Sequence, residues 1–399
     1  MFDILRAAAA LLVFAFHYSG LVSPLTSGVP WIETAEWMMA RMGSLGTNLL
    51  LLLSGYFIAF NMASGRFRYR RFVELRLARV YVPFLVVLLL ATLFKLAIPQ
   101  AGGGSGAALT WRTVLSNLIL LPGLFPERPI LTVTWTLSYI VAGYLLLPAV
   151  CVVIDKAEFG NLRRIFAWTA LVTASFLCAS MGIFSTRFTY IPMGCLLAEF
   201  QRGSGLSLHR TFLLRTVAIT GAVALAARVM MDGRLLIIDH AELSRAAFSA
   251  SGLLTVSMAM AAALIAQERY DLYRMVPFLS LVTAFGRTGY SFYLLHGPVV
   301  KSFAVVVFPW LAIAGFPAPV YWSVMPACLM AATLAARLLY QYVELPWRDR
   351  LIPKARQTAQ AAREETPRLR SSASAAAVRL SALKANPASG QPSPRPADR

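Results

Sequence analysis

Apolar runs of about twenty residues recur along this chain, and a run of that length crosses a hydrocarbon core roughly 30 Å thick as an α-helix. Lipid offers no partner to a free backbone N–H or C=O, so an apolar run this long must close its own hydrogen bonds. Hydropathy predicts about ten spans, at 4–23, 45–62, 79–98, 132–154, 165–183, 187–200, 211–231, 246–267, 285–308 and 320–343. The run 113–125 is too short to cross and is broken by Pro122 and Pro126, so it reads as a re-entrant or interfacial segment. The expectation is an all-α, polytopic integral membrane protein over residues 1–350. Beyond it, 351–399 is a basic tail rich in Ala, Arg, Ser and Pro, with too few large apolar residues to build a core, and is expected to be disordered.

Composition agrees. Apolar residues make up 58% of the chain and charged ones 14%, with a mean hydropathy of +0.64, whereas a soluble protein carries about a quarter charged residues. The net charge of +19 sits in loops and tail, where the cytoplasmic bias of Lys and Arg accounts for it, and nucleic acid is excluded as a partner. With the N-terminus inside, Arg66, Arg68, Arg70, Arg71, Arg76 and Arg79 share one cytoplasmic loop, and Lys156, Arg163, Arg164, Arg202, Arg210 and Arg215 also fall inside. Both termini are then cytoplasmic. The first span reads as a retained helix, since no small-residue cleavage site follows it. No internal repeat is visible, which counts against a transporter built from inverted halves. Cys151, Cys178, Cys195 and Cys328 lie singly in apolar segments, and the histidines at 17, 209, 240 and 296 form no metal-binding pair, so no metal site is expected.

Several polar side chains interrupt this apolar background. Arg6 and His17 are 11 residues apart, so on a helix they share a face and stand about 16 Å apart along the axis. If Arg6 marks an interface, His17 lies near mid-depth, where an ionisable group is costly and points to function. Asn48 is a mid-helix amide that needs partners. Arg71, Arg76 and Arg79 belong to a basic loop whose guanidinium forks suit phosphates or, alternatively, anchor the chain to lipid headgroups. Trp135 and Ser138 open another span; Tyr293 and His296, three apart, can face one cavity. Glu344 beside Arg348 reads as a structural ion pair.

These segments, in this order, resemble the acyltransferase 3 family of integral-membrane acyltransferases. The matching stretches are Arg6 with His17, GTNLLLLLSGYFI, RLARVYVP, WTLS, MGCLLAEF at 193–200, GYSFYLLHGPV and YVELPWR. The resemblance covers roughly residues 1–350. It departs from the family pattern at Asn48, where the family often has an acidic residue, and at Ile140, where it carries a glutamate.

The resemblance implies an O-acyltransferase of the bacterial inner membrane that moves an acyl group, usually acetyl, from acyl-CoA to a hydroxyl of a surface polysaccharide or glycolipid. Acyl-CoA is then a donor substrate, with no bound cofactor, and glycan-assembly proteins are expected partners alongside the bilayer. His17 would act as general base, since a hydroxyl attacking a thioester must lose its proton, or as a transient acyl carrier, and Arg6 would orient the donor or the helix end. Arg71, Arg76 and Arg79 would seat the CoA phosphates. Asn48, Trp135, Ser138, Tyr293 and His296 would line the acceptor cavity. Two rivals use the same residues: a glycolipid flippase without chemistry, and an inactive relative acting as a scaffold.

Overall fold

A computed structural model describes residues 2–62, 68–97, 110–125, 127–156, 161–202, 219–221, 223–225, 241–269 and 278–350. The tail 351–399, the span predicted at 211–231 for all but six residues, and the residues Arg66, His209, Arg210, Arg215 and His240 lie outside the described residues. Among the described residues the fold is helical, with one isolated β-bridge between Pro122 and Phe125. The chain divides into Met1–Glu344 and Leu345–Arg399.

In the order of the chain the helices are α1 (Phe2–Thr26), α2 (Pro30–Met62), α3 (Tyr69–Ala97), α4 (Trp111–Leu118), α5 (Thr134–Lys156), α6 (Asn161–Ser180) and α7 (Tyr190–Arg202). They continue with α8 (Ala241–Arg269), α9 (Leu279–Arg287), α10 (Gly289–Ile313), α11 (Ala318–Ser323) and α12 (Met325–Leu339), which runs into a π-helical turn, Tyr340–Glu344. Among the described residues seven helices are long and apolar enough to span: Phe2–Thr26, Pro30–Met62, Tyr69–Ala97, Thr134–Ile154, Leu162–Ser180, Gly289–Ile313 and Ala318–Arg350. They match seven of the ten expected spans. Of the others, 187–200 becomes the 13-residue α7, and 246–267 falls in α8, whose apolar part is Ser249–Leu264. The chain is a multi-pass membrane protein.

The α1–α2 hairpin closes at Gly28, whose φ of +91° is the left-handed conformation that ends a helix at low cost. Pro30 then starts α2 with its φ already set. Thr26 Oγ1 donates to Glu36 Oε1 at 2.5 Å, and the Gly28 amide donates to Glu33 Oε1 at 2.8 Å, so both carboxylates staple the turn.

Within the bundle α2 is the central post. A Cβ on Gly46 would stand 2.5 Å from the Ala9 carbonyl oxygen of α1, and one on Gly55 1.8 Å from that of Ile191 in α7. Gly194 of α7 returns the contact, with its Cβ position 2.0 Å from the Leu52 carbonyl oxygen. Small residues let backbones approach closely in lipid, where apolar burial gives no preference for protein over tails. Buried Leu51, Leu52, Tyr56, Leu137 and Ile191 fill the core on that side, while Phe14, Tyr18, Phe292 and Phe308 fill a second cluster on the far side of α1. The Tyr18 hydroxyl donates to the Tyr321 carbonyl and ties α1 to α11.

The run 113–125 gives the eight-residue α4 followed by a return loop, with Leu120 in a left-handed conformation at φ +57°. Asn117, fully buried, holds the loop: its Nδ2 donates to the Thr113 and Arg128 carbonyls and its Oδ1 accepts from the Ile130 amide, each at 2.8 Å. The glycine seam is testable by substitution. Gly194→Ala should cost about 1–3 kcal/mol through overpacking and lower the thermal midpoint of the detergent-purified protein, whereas Gly20→Ala, with nothing within 4 Å of its Cβ position, should leave that midpoint unchanged or raised.

Candidate active site

α1 carries two polar groups into the bundle, and each meets a different set of partners. Near its start Arg6 donates to Asp3 Oδ1 at 2.7 Å, and its guanidinium lies 5.0 Å from the centre of the Phe57 ring. α9 presses close here, since a Cβ on Gly286 would stand 1.8 Å from the Asp3 carbonyl oxygen. Three turns on, the ring of His17 lies 5.2 Å from that of His296 on α10. The expected shared face thus holds, but it serves two places.

The first place is a cavity of about 130 Å³ between α1, α2, α3, α5 and α10. Arg6, Arg76 and Arg79 line it, together with Ser54, Ile140 and Tyr293. Arg76 rests on aromatic faces, 5.4 Å from the centre of Phe72 and 5.7 Å from that of Tyr144. Arg79 Nη2 lies 3.7 Å from Glu344 Oε1, and Glu344 Oε2 accepts from the Ser291 hydroxyl at 2.7 Å. The buried carboxylate delivered by the π-helical turn therefore steadies Arg79. Arg71 stands 3.9 Å from Glu74, and the cavity lining does not include it. Arg348, in Leu345–Arg399, is 3.4 Å from Asp349.

The second place surrounds the histidine pair. His296 is fully buried, and its Nδ1 lies 3.3 Å from the Phe292 carbonyl. A carbonyl only accepts, so this contact puts the proton on Nδ1 and leaves Nε2 of the neutral ring as an acceptor. Nε2 makes no hydrogen bond among the described residues, and neither do the buried hydroxyls of Thr132, Thr134 and Thr136. A buried polar atom without a partner costs about 1–3 kcal/mol, so a cluster of them marks a layer suited to polar groups of a ligand.

The remaining expected cavity residues, Asn48, Trp135 and Ser138, each have partners of their own. The Asn48 amide donates to the Tyr190 hydroxyl at 2.8 Å, joining α2 to α7. Trp135 carries the Arg187 guanidinium 4.2 Å above its ring. The Ser138 hydroxyl turns to the backbone carbonyls of Pro122 and Thr134. These contacts hold the return loop and α7 in position. Sequence reasoning missed the alternating threonines of TVTWT and also Lys301, a cation in the middle of α10; three hydroxyls two apart in an apolar run were the available signal.

A model of the acyltransferase 3 family, described as an acyltransferase domain, matches residues 2–340. The chain belongs to that family. No curated protein and no solved structure matches it significantly. The match takes in both cavity-lining arginines of α3 and both histidines, so the site described lies within the acyltransferase domain. The Arg79–Glu344 contact gives a direct check. In a double-mutant cycle of Arg79→Gln and Glu344→Gln read by thermal unfolding, the two changes should be non-additive by about 0.5–3 kcal/mol, whereas additive effects would mean no interaction between them.

Proposed function

We propose that this membrane acyltransferase moves an acyl group, in the simplest case acetyl, from acyl-CoA to a hydroxyl of a surface polysaccharide or glycolipid. The observation that carries this reading is the pairing of His17 with His296 on the helix whose start, about 16 Å away, lines a cavity with three arginines. Arginine forks bind phosphate and pyrophosphate bidentately, which suits the anionic end of CoA. An acyl-pantetheine arm extended from that seat would run along α1 toward the histidines, about 16 Å on by helical rise.

At the histidines the acceptor hydroxyl attacks the thioester carbonyl. The C–O bond forms, the C–S bond breaks, and the hydroxyl proton passes to His17 and from there to the departing thiolate. His296, anchored at Nδ1 with Nε2 bare, stands where it can accept a hydrogen bond from the acceptor or from His17. Tyr293 bridges the arginine cavity and the histidine layer, lining the one and packing 5.7 Å from the His296 ring. The protein sits in the bacterial inner membrane with both termini cytoplasmic, so the arginine cavity faces the cytoplasmic acyl-CoA pool. Residues 1–350 form the catalytic domain and 351–399 a basic tail.

Two experiments test the proposal. A general base contributes about a hundred- to ten-thousand-fold to rate, so His17→Gln should lower acyl transfer by that range while acyl-CoA binding persists; transfer at near wild-type rate would end the assignment. Arg76→Lys with Arg79→Lys keeps the charge but loses the fork, and should raise the KM for acyl-CoA with little change in kcat. For orientation, a reporter fused after residue 70 should read cytoplasm and one fused after residue 110 the outside.

A further inference from the structure

A second cavity, of about 290 Å³, lies between α3, α10 and the segment leading into α5. Its walls are mainly apolar, but Lys95 of α3 and Lys301 of α10 both line it. The cavity also takes in Gly297 and Leu295, the residues on either side of His296. Among the described residues neither lysine has a hydrogen bond or an ion pair, and no acidic residue lines the cavity. The stretch 98–109, which follows α3, contains no Asp or Glu either.

Snorkelling to an interface could explain Lys95, which lies near the end of its helix. It does not explain Lys301, 12 residues from each end of α10. A lysine at the middle of a spanning helix is costly and calls for an anion. Thr132 adds an independent sign: it lines the same cavity, its buried hydroxyl has no partner, and it stands 2.4 Å from the Cβ position of Gly297, next to His296. The cavity opens toward lipid, since Leu90 lines it and is 54% exposed. It lies far from the arginine cavity along α3, for Lys95 follows Arg79 by 16 residues, about 24 Å of helix.

We propose that Lys95, Lys301 and Thr132 form a binding site for a phosphate group carried by a lipid, and that this is the phosphate of the lipid-linked acceptor. Two point charges match a phosphate or diphosphate, the apolar walls and lipid-facing opening match its hydrocarbon anchor, and Gly297 sets the site beside the histidine pair. Donor and acceptor would then be held by separate cationic seats on the two sides of His17 and His296. The assignment to the acceptor rests on the acyl-transfer reading above; the anion site does not.

The test measures binding by the full chain in phosphatidylcholine nanodiscs with no acyl donor present, so failure of the acyl-transfer reading cannot mimic failure of the site. Farnesyl diphosphate serves as the isoprenyl probe and phosphatidylglycerol as the bilayer-lipid probe. Lys95→Gln with Lys301→Gln should weaken farnesyl diphosphate binding by about tenfold or more, the loss expected when hydrogen bonds to a charged group disappear. Lys95→Arg with Lys301→Arg should stay close to wild type, and single Lys301→Gln carries the test if the double variant fails to fold. Unchanged binding in the Gln variants, or loss only on Arg76→Gln with Arg79→Gln, would overturn the site. Phosphatidylglycerol binding as tight as farnesyl diphosphate, and lost in the same variants, would overturn the acceptor assignment and give the site to bilayer lipid.

Discussion

Everything in this bundle is set out from the backbone-to-backbone approach of α2 to its neighbours. In water, apolar faces would drive helices together, but in lipid the tails are as apolar as leucine, and association depends on close packing and on hydrogen bonds. Gly46 gives α2 the first against α1, and Gly55 with Gly194 gives it against α7. Asn48 adds the second through Tyr190. With α2 fixed between them, the register of α1 is fixed too, and with it the depths of Arg6 and His17.

Polar groups in such a setting divide into those that close on each other and those left open. Glu199 accepts from Arg164 at 3.0 and 3.2 Å, Asn117 is saturated by backbone, and Ser138 turns to two carbonyls. These are structural. His296 Nε2 and the hydroxyls of Thr132, Thr134 and Thr136 are open, and they come from segments that meet beside His17.

Most of the fold was legible in the sequence because spanning helices need long apolar runs, and seven expected spans reappear as helices of sufficient length. The count of about ten is not confirmed: α7 has 13 residues, the apolar part of α8 is Ser249–Leu264, and most of 211–231 lies outside the described residues. Of the site, the Arg6–His17 face and the Arg76–Arg79 face followed from helical spacing alone. What spacing cannot give is the partner across the gap. The meeting of His17 with His296 joins residues 279 positions apart and that of Arg79 with Glu344 joins residues 265 apart, so local spacing shows neither. Trp135 meets Arg187 and Ser138 meets backbone carbonyls, partners that local spacing does not show either.

The five helices around the arginine cavity differ in how firmly they are held. α2 is the most deeply packed and α3 the least, with most of its apolar length facing outward. Pro83 breaks the hydrogen-bond ladder of α3 one turn beyond Arg79. The wall that bears Arg76 and Arg79 is thus more compliant than the α2 wall it faces. Resistance to deformation is spread unevenly: widening the cavity by tilting α3 disturbs lipid contacts, whereas widening it through α2 would tear apart two glycine seams at once.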